Sequence, residues 1–298
     1  MRKLKVGLAL GGGAARGAAH IGVLKALERE NIPIHIIAGT SIGAIIGAMY
    51  ATHPSAVEIE RKAYEYIESK QFKLLKFDFL DEEKYSRKGS GFFYKFTHHI
   101  KKNIFYNLSL TKRSLISGKE FKEHIEALID DIDIAETRLK FAAITLDITM
   151  GSEVVLKKGS LRRAVSASCA IPGILPPVKV NEHEFVDGGS IDLVPVQPAS
   201  ELGANVIIAV DVSKDIDGPF NSNCGIDVVI RAEKVTGYTL NQIRIREADI
   251  VLKPDVKNIF WADFSTFGHC VQKGEEEANK NLYKIKRLLA RKRLTHWF

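Results

Sequence analysis

The first fifty residues alternate between short apolar runs and amphipathic segments. Leu4–Leu10 is an apolar run that ends in three glycines, which is typical of a buried strand. Ala14–Glu30 repeats apolar residues at helical spacing, and this pattern predicts a helix that stops near Asn31. A second apolar run, Ile34–Ala38, leads through a short turn into an apolar helix at Ile42–Ala51. This order of strand, helix, strand and helix predicts parallel strands covered by helices.

The same alternation continues toward the C-terminus. Apolar runs predict five more strands, at Phe141–Leu146, Val154–Leu156, Glu184–Val186, Val206–Val212 and Ile250–Leu252. Periodicity and capping residues predict further helices, at Ser55–Ser69, Gly118–Ile129, Ser160–Ser168, Asp227–Ala248 and Val271–Arg293. We therefore expect an α/β fold, a three-layer α/β/α sandwich with a mostly parallel central sheet. One domain is expected over residues 1–298, with a core at about 5–212 and a helical extension at about 224–298.

The segment from residue 70 to residue 118 departs from this alternation. It is rich in Phe, Tyr, Lys and His, shows no clean period, and has Gly89-Ser90-Gly91 near its middle. We interpret it as an insertion that lies over the domain as a lid or a lipid-facing cap. The aromatic residues at 92–94 and 96 are candidates to contact lipid, although such clusters more often belong to a core.

The composition is that of an ordinary globular protein, with 45% hydrophobic and 27% charged residues, which excludes a disordered or fibrous chain. No apolar stretch approaches the ~18 residues that a membrane-spanning helix needs. The apolar run behind the basic N-terminus is shorter than the ~7–15 residues of a signal-peptide core. Cys169, Cys224 and Cys270 are far apart, which argues against a disulfide framework or a zinc site and for a reducing compartment. The cytoplasm is the predicted location.

The net charge of +7 is concentrated in two segments. Lys95–Arg113 is basic and aromatic, and Lys284–Arg293 is a basic run near the C-terminus. Either segment could contact an anionic lipid surface or nucleic acid, although a solvated helix face is the more common use of such a run. Peripheral contact with an anionic membrane stays open, whereas nucleic acid is not an expected partner.

The residues Gly39-Thr40-Ser41-Ile42-Gly43 match the G-x-S-x-G pattern of a nucleophile elbow, with a strand before them and a helix after them. So sharp a turn strains the backbone, and Gly39 and Gly43 keep side chains out of the crowded space. The Ser41 hydroxyl would then lie at a helix N-terminus, where free N–H groups favour negative charge. The alternative is an ordinary turn in which Ser41 only caps the helix. The context favours Ser41 as a nucleophile.

The glycine-rich run Gly11-Gly12-Gly13-Ala14 follows the first strand, and it exposes backbone N–H groups as an anion-binding nest. A dinucleotide fingerprint requires glycine where Arg16 stands, and a P-loop requires a Gly-Lys-Ser/Thr sequence that is absent. The remaining interpretation is an oxyanion hole, chiefly from Gly12 and Gly13, with Gly11 and Ala14 beside them. Arg16 and Gly17 are supporting candidates. Arg16 would buttress the loop, bind a lipid phosphate or form a surface salt bridge.

The motif Asp187-Gly188-Gly189 holds a carboxylate at a predicted strand end with room beside it. It is weak alone, because Asp-Gly-Gly is also an ordinary turn. A nucleophilic serine needs a base, and none of the nine histidines lies in a glycine-rich turn at a strand end. His20 lies in the helix after the glycine run, where local bonding is the commoner role. Asp187 is therefore the preferred base, provided that burial raises its pKa.

These blocks together resemble the patatin-like phospholipases, in particular the bacterial branch related to neuropathy target esterase. Gly7–Leu24 resembles the oxyanion block of that family, and Gly39–Gly43 resembles its nucleophile elbow. Ser166–Gly173 is similar to the segment before the catalytic aspartate, and Asp187–Gly189 is similar to the Asp-Gly-Gly motif itself. The blocks follow family order over roughly residues 5–212, which is far more specific than any single motif.

The resemblance implies a Ser–Asp dyad without histidine, with Ser41 as nucleophile and Asp187 as base. It implies hydrolysis of an acyl ester in a lipid substrate, without metal or cofactor, and a fold similar to that of cytosolic phospholipase A2. The chain departs from the family pattern at Asp192, where asparagine is expected. Two other function classes stay open, namely a nucleotide-binding α/β protein and a non-catalytic regulator that retains the fold.

Overall fold

The computed structural model describes residues 4–73, 112–216, 220 and 224–295. The lid or cap predicted within 70–118 therefore falls mostly outside the described residues, since 74–111 are not among them. The aromatic cluster at 92–96 and nearly all of the basic segment at 95–113 also lie outside the described residues.

Eight strands form one sheet within the described residues. They are β1 Val6–Leu10, β2 Ile36–Thr40, β3 Lys140–Asp147, β4 Ser152–Leu156, β5 Val178–Val180, β6 His183–Asp187, β7 Val206–Val210 and β8 Ile250–Leu252. Hydrogen-bonded neighbours follow the order β5-β6-β3-β2-β1-β7-β8, and β4 also pairs with β3, on the edge opposite β2 and β6. Strands β3, β2, β1, β7 and β8 are parallel, whereas β4 and β6 pair antiparallel with β3. The predicted mostly parallel sheet is confirmed, with an antiparallel part around β3.

Helices cover the sheet and connect its strands. They are α1 Ala19–Arg29, α2 Ile42–Thr52, α3 Ala56–Glu68, α4 Lys70–Lys73, α5 Gly118–Leu128, α6 Leu161–Cys169, α7 Val196–Glu201, α8 Gly225–Arg244 and α9 Phe267–Thr295. Short 3-10 helices lie at Ala14–Ala18, Ile134–Glu136, Gly188–Ser190, Ile245–Glu247 and Phe264–Thr266. The Ser55 side chain accepts the Glu58 N–H at the start of α3, so the predicted N-cap is confirmed.

The buried apolar residues divide into two clusters, one on each face of the sheet. Val6, Leu8 and Leu10 of β1 belong to the larger cluster, which includes residues of α1, α2, α5 and α9. Ala9 of the same strand belongs to the smaller cluster, which includes residues of α7. Successive side chains of a strand point to opposite faces of the sheet. The sheet therefore has one buried cluster on each face, as the predicted three-layer sandwich requires.

Two boundaries differ from the prediction near the glycine-rich turns. Strand β2 continues to Thr40 instead of ending at Ala38, so the turn into α2 is made by Ser41 alone. The helix predicted at Ala14–Glu30 begins as a 3-10 helix, and its α-helical part starts at Ala19. Ala14 has a φ of 49°, a left-handed conformation that is incompatible with an α-helix starting there.

The C-terminal helix α9 packs directly on α1. A Cβ atom at Gly22 would stand 1.9 Å from the Val271 carbonyl oxygen, so the two helix backbones touch. The basic run at the end of α9 pairs with Glu30 through Lys286 and with Asp249 through Lys292. Asp249 precedes β8, so this run lies at the amino edge of the parallel strands, opposite the edge where β2 ends. No described helix is both long and apolar enough to cross a membrane.

Candidate active site

The carboxyl ends of β2 and β6 meet beside β3. Strand β2 pairs with residues 140–144 of β3, and β6 pairs with residues 145–147. Strand β4 occupies the other edge of β3 at residues 143–147, so β2 and β6 must share one edge, end to end. Thr40 is registered with Ile144, and Asp187 is registered with the next residue, Thr145. This topology brings Ser41 against Asp187, although 146 positions separate them in the sequence.

Ser41 forms a strained turn at the N-terminus of α2. Its φ of 55° and ψ of −124° lie outside the regions that side chains favour, and such strain is typical of functional sites. Gly39 and Gly43 permit the close approach. A Cβ at Gly39 would lie 2.4 Å from the Gly43 carbonyl oxygen, and one at Gly43 would lie 2.0 Å from that of Leu10. The structure therefore has the strand–turn–helix geometry expected of a nucleophile elbow.

Asp187 is buried beside Ser41. Its Oδ1 accepts the Gly189 N–H at 2.8 Å. Burial raises the pKa of Asp187 to about 6, although the neighbouring Ser41 hydroxyl and the Gly189 N–H lower it in part. Gly188 lies against β3, where a Cβ would stand 2.5 Å from the Ile144 carbonyl oxygen. The carboxyl group therefore titrates near neutral pH, beside the serine.

The glycine loop lies beside Ser41, but its N–H groups are not equally available. A Cβ at Gly12 would stand 3.5 Å from that of Ser41. Gly11 donates its N–H to Val210, and Gly12 donates its N–H to Leu193, each at 3.0 Å. Within the described residues, no hydrogen bond engages the N–H of Gly13 or Ala14. The N–H groups of Gly11 and Gly12 thus already donate to carbonyl oxygens, and the oxyanion role expected chiefly of Gly12 and Gly13 stays a prediction.

The half-buried Arg16 and the buried His20 hold this loop from behind. Arg16 donates from Nε to the Gly13 carbonyl oxygen at 3.3 Å. Of the three roles considered for Arg16, this bond fits the one in which it buttresses the loop. His20 Nε2 lies 2.8 Å from the Gly11 carbonyl oxygen. Burial lowers the pKa of His20 to about 4, so the neutral ring donates to this carbonyl. Gly17 packs against Ile42, the first residue of α2. His20 bonds locally, as expected, and does not face Asp187.

Polar residues that the sequence analysis did not single out brace the elbow. The Ser41 N–H donates to Ser168 Oγ at 3.0 Å, and Ser168 donates to the Ile144 carbonyl at 2.6 Å. The Thr40 hydroxyl donates to the Asp192 carbonyl oxygen at 2.8 Å. The only available signal for Ser168 was its place in the block Ser166–Gly173. A polar side chain in such a block indicates burial with a specific partner, but the sequence does not reveal which partner.

Asp192 lies behind the catalytic edge in a cluster of charges. Its carboxylate is 3.3 Å from the guanidinium of Arg244, which also hydrogen-bonds Glu153 at 2.5 Å. Burial raises the pKa of Asp192 to about 7, the charge of Glu153 adds to this effect, and Arg244 opposes it. The departure at Asp192 thus places a titratable group directly behind the segment that joins Asp187 to the glycine loop.

An apolar cavity of about 180 Å³ opens beside Ser41. Its walls come mainly from α2, α3, α5 and the beginning of α9, including Ile42, Met49, Leu128 and Phe267. Two polar side chains in its wall, Tyr66 and His124, are hydrogen-bonded to each other at 2.5 Å. The cavity therefore offers a hydrocarbon environment next to the serine, and Ala14 of the glycine loop lines it as well.

Comparison with known proteins finds relatives over most of the chain. The family model described as patatin-like phospholipase matches residues 8–200. Patatin-like phospholipase domain-containing protein 6 of Homo sapiens is 32% identical over 257 residues, covering 85% of this chain and 16% of the relative. Neuropathy target esterase sws of Drosophila melanogaster is 32% identical, covering 71% of this chain and 13% of the relative. Lysophospholipase NTE1 of Candida albicans is 33% identical, with shares of 72% and 14%.

The chain spans about a sixth or less of the length of these relatives. The matched region nevertheless contains the elbow, the glycine loop and the Asp187 motif. A family model that covers well over half of the chain, with relatives above 30% identity, establishes the kinship. The chain belongs to the patatin-like phospholipase family.

Proposed function

We propose that this chain is a serine acyl-hydrolase that cleaves acyl esters of lipids, with Ser41 as nucleophile and Asp187 as base. The proposal is carried by the position of the Ser41 hydroxyl next to the buried Asp187 carboxylate, beside an apolar cavity. A family named for phospholipases, and relatives named as an esterase and a lysophospholipase, support the same activity.

In the first step, Ser41 Oγ attacks the ester carbonyl carbon and its proton passes to Asp187. The tetrahedral intermediate then expels the alcohol, which takes the proton from Asp187, and the acyl group stays on Ser41. A base works best when its pKa is near the working pH, and burial moves the pKa of Asp187 to about 6. In the second step, Asp187 takes a proton from water as its oxygen attacks the acyl-serine. The second tetrahedral intermediate then expels Ser41 Oγ, which takes the proton back from Asp187, and the carboxylic acid is released.

The negative oxygen of each intermediate needs preorganised donors. We assign this role to the N–H groups of Gly13 and Ala14, because those of Gly11 and Gly12 already donate to carbonyl oxygens. The N-terminus of α2, which begins at Ile42 beside Ser41, adds a favourable electrostatic potential for the same charge.

The substrate class follows from the cavity beside the serine. Its wall is almost wholly apolar, so it fits a hydrocarbon chain better than a nucleotide or a polar acid. A lipid acyl chain in this cavity would place its ester carbon at the cavity mouth, where Ser41 lies. Phospholipids, lysophospholipids and simpler lipid esters share this chemistry. Contact with a membrane surface and a cytoplasmic location remain parts of the proposal, and nucleic acid is not a proposed partner.

The test combines covalent labelling with turnover. The purified chain would be treated with a fluorescent fluorophosphonate and assayed with p-nitrophenyl esters, beside Ser41→Ala and Asp187→Asn. Ser152→Ala, a change at the exposed first residue of β4, is the matched control. We expect labelling and turnover in the wild type and the control, no labelling in Ser41→Ala, and a loss of at least about a hundredfold in Asp187→Asn.

The alternatives give different results in the same experiment. If Asp187→Asn stays folded and keeps its turnover, the base lies elsewhere. If the folded wild type neither labels nor turns over, a binding or regulatory role replaces hydrolysis. A nucleotide-binding protein would instead show saturable binding of a labelled nucleotide that Gly13→Val weakens.

A further inference from the structure

The apolar cavity beside Ser41 ends at a second, smaller cavity. The second cavity has a volume of about 100 Å³ and is lined by the C-terminal part of α2 and by residues of α3. Met49 and Leu128 line both cavities. Both side chains are nearly buried, with exposed fractions of 6% and 9%, and they lie between the two cavities.

The cavity follows α2 from the serine down to Met49. Ile42, Ile45, Ile46 and Met49 all line it, and this spacing is one face of a helix. Seven residues separate Ile42 from Met49, which corresponds to about 10 Å along the helix axis. An extended chain advances about 1.2 Å per bond, since a residue of three bonds spans about 3.5 Å. The distance from the serine to Met49 therefore holds roughly eight carbon atoms of an extended acyl chain.

We propose that Met49 and Leu128 are the floor of the acyl cavity and set the longest acyl chain that fits without rearrangement. This inference rests on the proposed acyl-hydrolase function. Carbon atoms beyond the floor would enter the second cavity, whose rim is charged. There His53 lies 2.8 Å from Asp130, and Lys62 lies 3.8 Å from the same carboxylate. A chain that pushes past the floor must displace Met49, whose unbranched side chain is flexible, and approach this polar rim at a cost.

The test is the dependence of kcat/KM on acyl-chain length. The series would use p-nitrophenyl esters of four to sixteen carbons with wild type, Met49→Ala and Leu128→Ala. Shortening either side chain joins the two cavities. The joined cavity would bury about two further methylenes of a long acyl chain, at roughly 0.8 kcal/mol each. We therefore expect kcat/KM for the twelve-carbon ester, divided by that for the six-carbon ester, to rise about tenfold. Met49→Phe fills the cavity and should lower the same ratio.

Leu24→Ala is the matched control, because Leu24 is a buried residue of α1 that lines neither cavity. Leu24→Ala should lower the free energy of unfolding as any truncation in the core does. Its dependence of kcat/KM on acyl-chain length should nevertheless equal that of the wild type. Binding of fatty acids of six to sixteen carbons, followed by calorimetry, gives a second readout that needs no turnover. The floor variants should extend the longest chain that is bound.

The outcomes distinguish failure of the cavity floor from failure of the acyl-hydrolase function. An active wild type whose chain-length profile and fatty-acid binding stay unchanged in both alanine variants overturns the floor and leaves the hydrolase intact. A wild type that neither labels nor turns over refutes the hydrolase. In that case, calorimetry alone decides the floor, since unchanged fatty-acid binding in the variants still contradicts it.

Discussion

Ser168 ties the backbone of Ser41 to the central strand β3. Its Oγ accepts the Ser41 N–H at 3.0 Å and donates to the Ile144 carbonyl oxygen at 2.6 Å. Ile144 is also registered with Thr40, and the next residue of β3, Thr145, is registered with Asp187. One hydroxyl group therefore fixes the elbow against the strand that pairs with Asp187. The side chain of Ser168 is fully buried, so its two hydrogen bonds are not replaced by water when it is removed.

Ser168→Ala is therefore expected to damage both stability and catalysis. It leaves a buried N–H and a buried carbonyl without a partner, which costs about 1–3 kcal/mol of the free energy of unfolding. The elbow loses its orientation, so we expect kcat to fall about tenfold or more with KM little changed. Ser166→Ala is the control, because Ser166 bonds only to Arg162 within its own helix. Equal kcat values in the two variants would contradict this role for Ser168.

The pKa of Asp187 predicts the acid limb of the pH–rate profile. Asp187 acts as a base only when ionised, and burial raises its pKa to about 6. We expect the acid limb of kcat/KM to rise with pH with a midpoint near 6. Steady-state assays between pH 4.5 and 8.5 check this midpoint. A flat profile down to pH 5 would show that the carboxyl group titrates at an ordinary value.

The raised pKa of Asp187 also predicts that its ionisation lowers the free energy of unfolding. Because the folded state holds the Asp187 proton more tightly than the unfolded chain, the free energy of unfolding falls as pH rises from about 4 to 6. Two pKa units correspond to about 3 kcal/mol as an upper estimate. Asp187→Asn should therefore be inactive but more stable than the wild type at pH 8, and equally stable near pH 4. Urea denaturation at both pH values measures the difference, and equal stability at pH 8 would contradict it.

Arg16 is expected to fix the direction of one proposed oxyanion donor, the N–H of Ala14. Its Nε donates to the Gly13 carbonyl oxygen, which belongs to the same planar peptide group as the Ala14 N–H. Fixing the carbonyl therefore fixes the direction of that N–H. Arg16→Ala is expected to lower kcat by about ten- to a hundredfold with KM little changed. Arg29→Ala, on the exposed side of α1, is the control, and a selective rise in KM would instead favour a role in substrate binding.

The sequence predicts strands that are continuous apolar runs better than a strand with exposed positions. Strands β1, β7 and β8 are apolar along their length. Strand β8 has the predicted limits at Ile250–Leu252, although it lies at the edge of the sheet. Strand β5 was not predicted, because its three residues are half-exposed or exposed and carry no period. Strand β2 was predicted too short, because Gly39 looks like a turn residue and is in fact a site of close backbone packing.

For the site, local sequence predicts which residues follow strands, but it does not predict which distant residues they contact. The sequence indicates that Ser41, the glycine loop and Asp187 follow strands, and the structure places all three at one edge of the sheet. The availability of each N–H cannot be predicted in this way, since the partners of Gly11 and Gly12 are distant in sequence. The end-to-end meeting of β2 and β6 also depends on strand pairing, which local pattern does not encode.

Asp192 yields a prediction that separates it from the proposed dyad. Its pKa of about 7 is raised by burial first and by Glu153 second, against the attraction of Arg244. As pH rises through 7, a charge appears behind the segment that joins Asp187 to Leu193, whose carbonyl oxygen binds the glycine loop. We expect a second inflection of kcat/KM near pH 7 in the wild type, and its loss in Asp192→Asn.

The Asp192→Asn variant should otherwise stay active, because asparagine has a similar shape and the bond from Thr40 goes to the backbone carbonyl of residue 192. The raised pKa means that ionisation of Asp192 disfavours the folded state, so the variant should gain stability above pH 7 and none near pH 4. Asp131→Asn, at an exposed ion pair with Arg162, is the control for a charge change elsewhere. If Asp192→Asn abolishes turnover at every pH while it stays folded, the carboxylate is needed for catalysis itself, and the dyad must be extended to a third residue.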